Sequence, residues 1–257
     1  MVWLISLFGA GLIYLWDQSR RPRRRTLNIK KEECSRAYRI LVISDFHGNS
    51  WMNARAFVES LPLYDAIVHL GDMVSRDQKS LHPTREFLTL LSQKSENCFF
   101  VLGNHEMDRG RQWATTFYEG LGWCPLHHQI VDLGEGRDQL TMTGMDMASS
   151  YPEDEIPYST DLGFYHSLNT YLSRWKNVTS HRTIFSGHTH GGQVRVPGVG
   201  QVLGHGWELF PKVSKGTYCR DGVRAYITAG LGNTSLPIRI CNPIEFLEVF
   251  VEEKEDA

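Results

Sequence analysis

The sequence has few cysteines, and none of the spacings a cysteine framework needs. Five of its 257 residues are cysteine, at positions 34, 98, 124, 219 and 241, an odd number with no CxxC pair. A disulfide-stapled scaffold and a cysteine zinc site are both excluded on that pattern, and reduced thiols in a cytosol-facing domain are expected. Proline is sparse at 10 residues, and the 23 glycines follow no period, which excludes collagen-like and proline-rich chains. No repeat of 20 to 50 residues recurs, which argues against a solenoid or propeller. G-x-S-x-G, GxGxxG and P-loop motifs are missing, so the sequence offers no serine elbow and no glycine-rich phosphate cradle. A large charge of one sign is missing too, but the net charge of -2 hides an asymmetry. Residues 1–31 hold seven basic groups against Asp17, a balance of +6, and the remainder carries -8. So acidic a body repels the phosphate backbone, and no nucleic-acid partner is expected. No obligate protein partner is evident either. Apolar residues make up 41% and charged residues 22%, too apolar for a disordered chain.

Long apolar runs are also scarce, with one exception. Residues 2–16, VWLISLFGAGLIYLW, contain no charge and precede Arg20-Arg21-Pro22-Arg23-Arg24-Arg25. A secretory signal puts its basic residues before the apolar stretch and a twin-arginine signal does likewise, so the order here fits neither. The run has no polar face with which to lie flat on a membrane. As a helix it spans roughly 22 Å, short of the roughly 30 Å hydrocarbon core, with Trp3 and Trp16 placed to mark the interfaces. Residues 1–19 are expected to form an apolar helix that anchors the chain in the inner membrane. Residues 20–37 are expected to be a basic linker, and 38–257 a catalytic domain facing the cytoplasm by the positive-inside rule.

In the body, several apolar runs stop at polar clusters. Arg39–Ser44 runs into Asp45-Phe46-His47-Gly48, Asp65–Leu70 into Gly71-Asp72, and Cys98–Leu102 into Gly103-Asn104-His105-Glu106. Continuous β-branched and aromatic runs suit strands buried on both faces. Helical spacing over 51–61 and 84–93 between them predicts an α/β layer fold, whose ligand sites gather at strand carboxyl ends. The second half is richer in strand-like stretches: 139–146, 162–166, 182–186, 193–197, 217–219, 223–228 and 245–252. It is expected to form a more antiparallel layer, and it contains Gly187-His188-Thr189-His190-Gly191-Gly192.

The donors at these strand ends are Asp45, His47, Asp72, Asn104, His105, His166, His188 and His190. Imidazole, carboxylate and amide oxygen together suit divalent ions such as Mn²⁺, Fe²⁺ or Zn²⁺. Any one of these short motifs arises readily in turns; the ordered set of four, each closing a strand, does not. His127 and His128 beside Pro125 read as structural or exposed, His69 as a core residue, and His205 as a loop residue that could line a cleft. Arg109, Arg111 and Arg239 are candidate phosphate clamps.

D-x-H, G-D, G-N-H-E, an isolated His and G-H-T-H, in that order, resemble the calcineurin-like metallophosphoesterase superfamily over about residues 38–253. The resemblance implies two mixed β-sheets packed as a sandwich with helices outside, and two metal ions sharing one aspartate and a hydroxide. Asp45, His47, Asp72 and His190 would bind the first metal, and Asp72, Asn104, His166 and His188 the second. His105 would act on the leaving group. The family's isolated histidine usually precedes x-Pro, whereas His166 precedes Ser167-Leu168. It nonetheless ends a strand and lies 22 residues before His188; the rival, His181, is only seven residues away. Leu209-Phe210-Pro211-Lys212, Ala229-Gly230-Leu231-Gly232 and Leu236-Pro237-Ile238-Arg239 are similar to a membrane-anchored bacterial branch of the superfamily. That branch includes phosphodiesterases and an enzyme that cleaves the pyrophosphate of UDP-2,3-diacylglucosamine. The resemblance implies hydrolysis of a phosphodiester or pyrophosphate bond in a lipid-linked substrate, with manganese as the favoured metal. The alternatives are a phosphomonoesterase or phosphodiesterase acting on soluble substrates, and a catalytically silent scaffold at the membrane.

Overall fold

Ile40, Leu41, Val42 and Ile43 are all fully buried, yet they serve two different cores. In the computed structural model, Leu41 and Ile43 pack against helices while Ile40 and Val42 face a second sheet. This is the period-2 alternation of a strand covered on both faces. The structure describes residues 11, 13–31, 36–127, 129–147, 159–177, 179–202, 204, 208–220, 222–233 and 238–253. A helix, α1, covers residues 13–20. Most of the apolar stretch expected to form the anchor lies outside the described residues, and no described helix is long and apolar enough to cross a membrane.

Among the described residues two six-stranded sheets form the frame, with strands numbered in chain order. The first runs β1 (Arg23–Lys31), β14 (Glu245–Glu253), β2 (Tyr38–Ile43), β3 (Ala66–His69), β4 (Cys98–Phe100), β5 (Cys124–Pro125). The second runs β12 (Gly216–Arg220), β13 (Val223–Ile227), β9 (Ser180–Ser186), β8 (Ser159–Tyr165), β7 (Leu140–Met145), β6 (Val131–Leu133). A small hairpin, β10 (Arg195–Val196) with β11 (Gly200–Gln201), stands apart from both. Helices α2 (Ala54–Glu59), α3 (His82–Leu91), α4 (Asn104–Arg109) and α5 (Arg111–Glu119) belong to the first half, and α6 (Leu168–Thr170) follows β8. Phe57, Phe87, Leu88, Leu91 and Tyr118 of α2, α3 and α5 cover the outer face of the first sheet. Between the sheets, Val68, Leu70, Phe99 and Val101 meet Met142, Leu162, Phe164 and Phe185.

The two mixed sheets and flanking helices match the expected α/β sandwich, with two corrections. The stretch read as a linker contains β1, which pairs in parallel with β14 over its whole length. Leu27 and Ile29 turn inward, while Arg24 and Lys30 pair with Glu248 and Glu252 across the ladder. Its basic composition is that of an edge strand protected by charge. The second sheet is not mainly antiparallel: β7, β8, β9 and β13 are parallel neighbours, and the antiparallel pairs lie only at its two margins. Parallel order in both sheets aligns the carboxyl ends of β2, β3, β4, β8 and β9. Hydrogen bonds from His166 Nδ1 to the Leu70 carbonyl (2.7 Å) and from the His188 amide to Asp45 Oδ2 (3.0 Å) join those ends across the sandwich.

Candidate metal centre

All seven donors expected as ligands sit where these strand ends meet. His47 Nε2 lies 3.1 Å from His190 Nε2, and His190 Nε2 lies 3.5 Å from Asp45 Oδ1. On the other side, His166 Nε2 lies 3.0 Å from His188 Nδ1 and 3.1 Å from Asn104 Oδ1. Asp72 Oδ2 sits between the two groups, 3.8 Å from His47 Nε2 and 3.4 Å from His166 Nε2. Side-chain atoms of Asp45, His47 and His190 therefore converge on one point and those of Asp72, His166 and His188 on a second. His181, the rival to His166, lies elsewhere, against Tyr165 and Thr160. His69 is buried among Phe100, Tyr118 and Trp123, His127 pairs with Asp146, and His128 and His205 lie outside the described residues.

Local backbone geometry makes the convergence possible. Eight non-glycine residues have positive φ among those described, and five are Asp45, His47, Asp72, His188 and His190. The left-handed region costs of order 1–3 kcal/mol for such residues and persists only where the surroundings enforce it. Here it turns each loop sharply off its strand so that side chain and strand axis point to the same edge. Gly71 and Gly103 supply the close approach. A Cβ on Gly71, itself at φ +89°, would collide with the Gly103 amide, and one on Gly103 would collide with Asp72 Oδ1.

Two buried charges hold these loops. Glu106, fully buried, accepts from the amides of Asp72 (2.7 Å), Met73 (2.8 Å), Val74 (3.3 Å) and Gly103 (3.0 Å), and from the Tyr118 hydroxyl (2.6 Å). Burial, reinforced by the nearby Asp72 charge, pushes its pKa up to about 7. This role escaped the sequence reading, although a glutamate at the third position of a helix capped by glycine is a capping-box signal. Arg239 does the converse: its guanidinium donates to the carbonyls of Ala229 (2.8 Å), Asn242 (3.3 Å), His190 (3.4 Å) and Gly232, and to Asn233 Oδ1 (3.0 Å). Arg239 is fully buried, so it is not the phosphate clamp it was expected to be. The other two arginines are likewise engaged. Arg109 donates to the carbonyls of Ser75, Arg76 and Gln78 and stacks 4.5 Å over Trp113. Arg111 pairs with Asp146 at 3.0 Å and lies 2.7 Å from His127 Nε2.

Residues 75 and 76 set two histidines apart. His47 Nδ1 faces the Ser75 hydroxyl at 3.2 Å; in the tautomer in which Nδ1–H donates to that hydroxyl, Nε2 offers its lone pair. His105 Nδ1 accepts from the Arg76 amide at 2.9 Å, so in the neutral ring Nε2 carries the proton. That Nε2–H points toward Asp72 Oδ2, 3.9 Å away. Burial lowers the pKa of His105 and brings that of His47 down to about 4, which keeps both rings neutral. Asp45 is pushed up to about 6 by burial, and its Oδ1 has no hydrogen-bond partner. Burial disfavours charge on His166, but the Asp72 carboxylate overrides it and raises the imidazole to about 10. The same His166 charge, against burial, holds Asp72 well below the usual carboxylate range. Strong proton retention beside Asp72 marks the place where negative potential converges.

Two carboxylates, four imidazoles and an amide oxygen, with Asp45 Oδ1 lacking any hydrogen-bond partner, fit a pair of divalent cations, which would displace the proton that His166 holds beside Asp72. His166 is also fixed from behind, through Nδ1–H to the Leu70 carbonyl, as ligand histidines commonly are. The sequence model of the family described as "Calcineurin-like phosphoesterase" matches residues 38–192. Proteins from two Helicobacter pylori strains, each described as an "uncharacterized metallophosphoesterase", are 23% and 22% identical, with 98% of this chain and 71% of each of theirs covered. Among solved structures, the phosphopantetheinyl hydrolase PptH of Mycobacterium tuberculosis aligns with a TM-score of 0.42 at 13% identity, over 75% of this chain and 89% of that one. The match to the family model spans more than half the chain and contains every candidate ligand: the protein belongs to the calcineurin-like phosphoesterases and is a phosphoester hydrolase.

Proposed function

We propose that the chain is a dinuclear metal-dependent hydrolase of a phosphodiester or pyrophosphate bond in a membrane-associated, lipid-linked substrate. The observation that carries the metal-dependent reading is the pair of donor clusters, Asp45, His47 and His190 beside Asp72, His166 and His188, with Asp72 Oδ2 3.8 Å from His47 Nε2. Asp45, His47, Asp72 and His190 would hold one ion and Asp72, Asn104, His166 and His188 the other, with manganese the first metal to try. Ions bound there supply an activated water and neutralise charge on the phosphoryl oxygens. The chain's own contribution falls to His105, whose Nε2–H is presented to the leaving oxygen. Protonating Nδ1 as well would break its bond from the Arg76 amide, so His105 acts first as a hydrogen-bond donor to developing charge. The lipid-linked part of the reading is supported by the uncharged run 2–16 followed by five arginines, which also supports a place at the inner membrane with the body in the cytoplasm.

The test uses the full chain, stripped with chelator and reloaded with Mn²⁺, on an aryl phosphomonoester, an aryl phosphodiester and a UDP-linked lipid. Cleavage of the last two, lost on chelation, is expected; no metal-dependent cleavage of any would overturn the reading, and the monoester alone would move it to a phosphatase. His105→Ala should lower the rate by roughly 10²–10⁴. The loss should shrink as the leaving group becomes a weaker base.

A further inference from the structure

Among the described residues, nine of the twelve exposed large hydrophobic side chains lie on segments that are hydrogen-bonded to one another and to the metal loops. In the loops these include Val199 (58% exposed), Leu209 (67%), Phe210 (58%) and Ile240 (37%). On α1 they include Ile13 (69%) and Trp16 (44%). The connections are specific. The Ile240 amide donates to the Gln193 carbonyl at 3.0 Å, and the Arg195 amide donates to the Ile240 carbonyl at 2.9 Å, which ties the β10–β11 hairpin to the 238–242 segment. The Phe210 amide donates to the Val202 carbonyl at 2.9 Å, and Val199 and Phe210 line one cavity of about 230 Å³ with Arg195 and Lys212. The Cys241 amide donates to the Tyr14 hydroxyl at 2.7 Å, which fastens α1 to the same segment. Each piece is also close to a candidate ligand. Asn242 Nδ2 donates to the His190 carbonyl, and Asn49, two residues after His47, donates to the Ser19 carbonyl of α1.

We infer that this face is a second membrane contact, which seats the edge of the sandwich bearing the metal centre against an anionic lipid bilayer. The inference rests on the membrane reading above and goes beyond it, because it assigns the docking to segments 195–202, 208–212 and 238–242 as well as to the N-terminal run. Three observations select a bilayer as the occupant. The apolar face is continuous with α1, whose sequence leads back into the uncharged stretch 2–16. Arg20 stacks over Trp16 at 4.5 Å, an arrangement of aromatic ring and cation suited to the headgroup level. The charged groups on the face are mainly basic: Arg20, Arg21, Arg23, Arg195 and Lys212 against Asp17 and Glu208, with Asp17 paired to Arg21 and Arg23. A basic rim around exposed apolar side chains is the pattern that binds anionic lipid. A lipid-linked phosphoester would then reach the strand-end donors from the bilayer surface without leaving it.

Amide hydrogen exchange on the full chain tests this, with vesicles of phosphatidylcholine alone or with added phosphatidylglycerol. Exchange in 195–202 and 208–212 should slow about tenfold on the anionic vesicles and less on the neutral ones. A variant carrying Val199→Glu, Leu209→Glu and Phe210→Glu should still float with vesicles through its N-terminal run, but lose that slowing. Its rate on a water-soluble aryl phosphodiester should be unchanged, since none of the three residues touches the metal centre. Unslowed loops on every vesicle would overturn the inference. Slowing that needs no vesicles and rises with protein concentration would also overturn it, by showing a second copy of the chain as the occupant. Exchange reads docking whether or not any substrate is cleaved, so failure of the proposed activity is seen separately.

Discussion

The loops after β2, β3 and β4 and the loops after β8 and β9 carry the same kinds of donor, yet they are held by opposite charges. On the first side, the chain turns its amides inward: those of Asp72, Met73, Val74 and Gly103 all point to the Glu106 carboxylate. On the second, the chain turns its carbonyls inward: that of His190 after β9 and those of Ala229, Gly232 and Asn242, in the adjoining segment between β13 and β14, all receive Arg239. Each buried charge matches the face of the backbone it meets, an acceptor-only carboxylate for N–H groups and a five-donor guanidinium for C=O groups. Loops forced into left-handed turns cannot complete a strand ladder, and a buried backbone group needs a partner. One side chain with several donors or acceptors satisfies a whole turn at once. The difference shows that the sign of a buried charge near a metal site can be set by the backbone rather than by the metal.

The largest effect is expected where the two sides meet. Asp72→Asn neutralises the carboxylate lying between His47 and His166, so both clusters lose the negative charge that faces them. Turnover should fall below detection and elemental analysis should find less than one ion per chain, with the circular dichroism of the fold retained. Two tightly held ions in that variant would show that the sides do not depend on Asp72. Next in size is Glu106→Ala, which strands four buried amides and a phenol. It should lower stability by about 3–5 kcal/mol in denaturant unfolding and loosen metal binding. Glu106→Gln should restore only part of this, because an amide places a donor against N–H groups on one side of the carboxyl position. A smaller loss, about 2–3 kcal/mol, is expected for Arg239→Met. Under-satisfied carbonyls cost less than orphaned amides, and Asn242 still donates to the His190 carbonyl. If Arg239→Met proved the more damaging of the two, the distinction between amide-facing and carbonyl-facing loops would fail.

Much of the frame was legible from residue pattern because its strands are buried on both faces. Runs such as Ile40–Ile43 and Ala66–His69 need no partner information to read as strands, and a polar cluster directly after them marks a carboxyl end. The donors followed from that placement. Other features were hidden for physical reasons. β1 reads as a linker because its exposed positions are basic, and the acidic partners of Arg24 and Lys30, Glu248 and Glu252, lie more than two hundred residues away. Arg239 reads as a surface clamp because sequence does not reveal which carbonyls a distant loop will bury. Helices α4 and α5 were not anticipated; α4 is only six residues long and starts at the candidate ligand Asn104 itself. The parallel centre of the second sheet depends on crossovers that strand composition does not encode.

The smallest predicted effect separates the carboxylate from its surroundings. Tyr118 lies on α5, fully buried, with its hydroxyl 2.6 Å from Glu106 Oε1. Burial, together with the Glu106 charge, raises the phenol well above its ordinary pKa, which favours its protonated, donating form. Tyr118→Phe deletes one donor and strands nothing, because Oε1 keeps the Met73 and Val74 amides and Oε2 keeps those of Asp72 and Gly103. The ring also keeps its packing against His69 and Phe100, at 4.6 and 5.1 Å between centroids. The loss should therefore be about 1 kcal/mol, the net worth of one hydrogen bond, with metal content unchanged. In a Glu106→Ala background the same substitution should cost nothing or recover stability, since the hydroxyl then has no acceptor. A double-mutant cycle measures that coupling directly. Equal losses in both backgrounds would show that Tyr118 contributes through its ring alone and that the carboxylate holds the amide-facing loops without it.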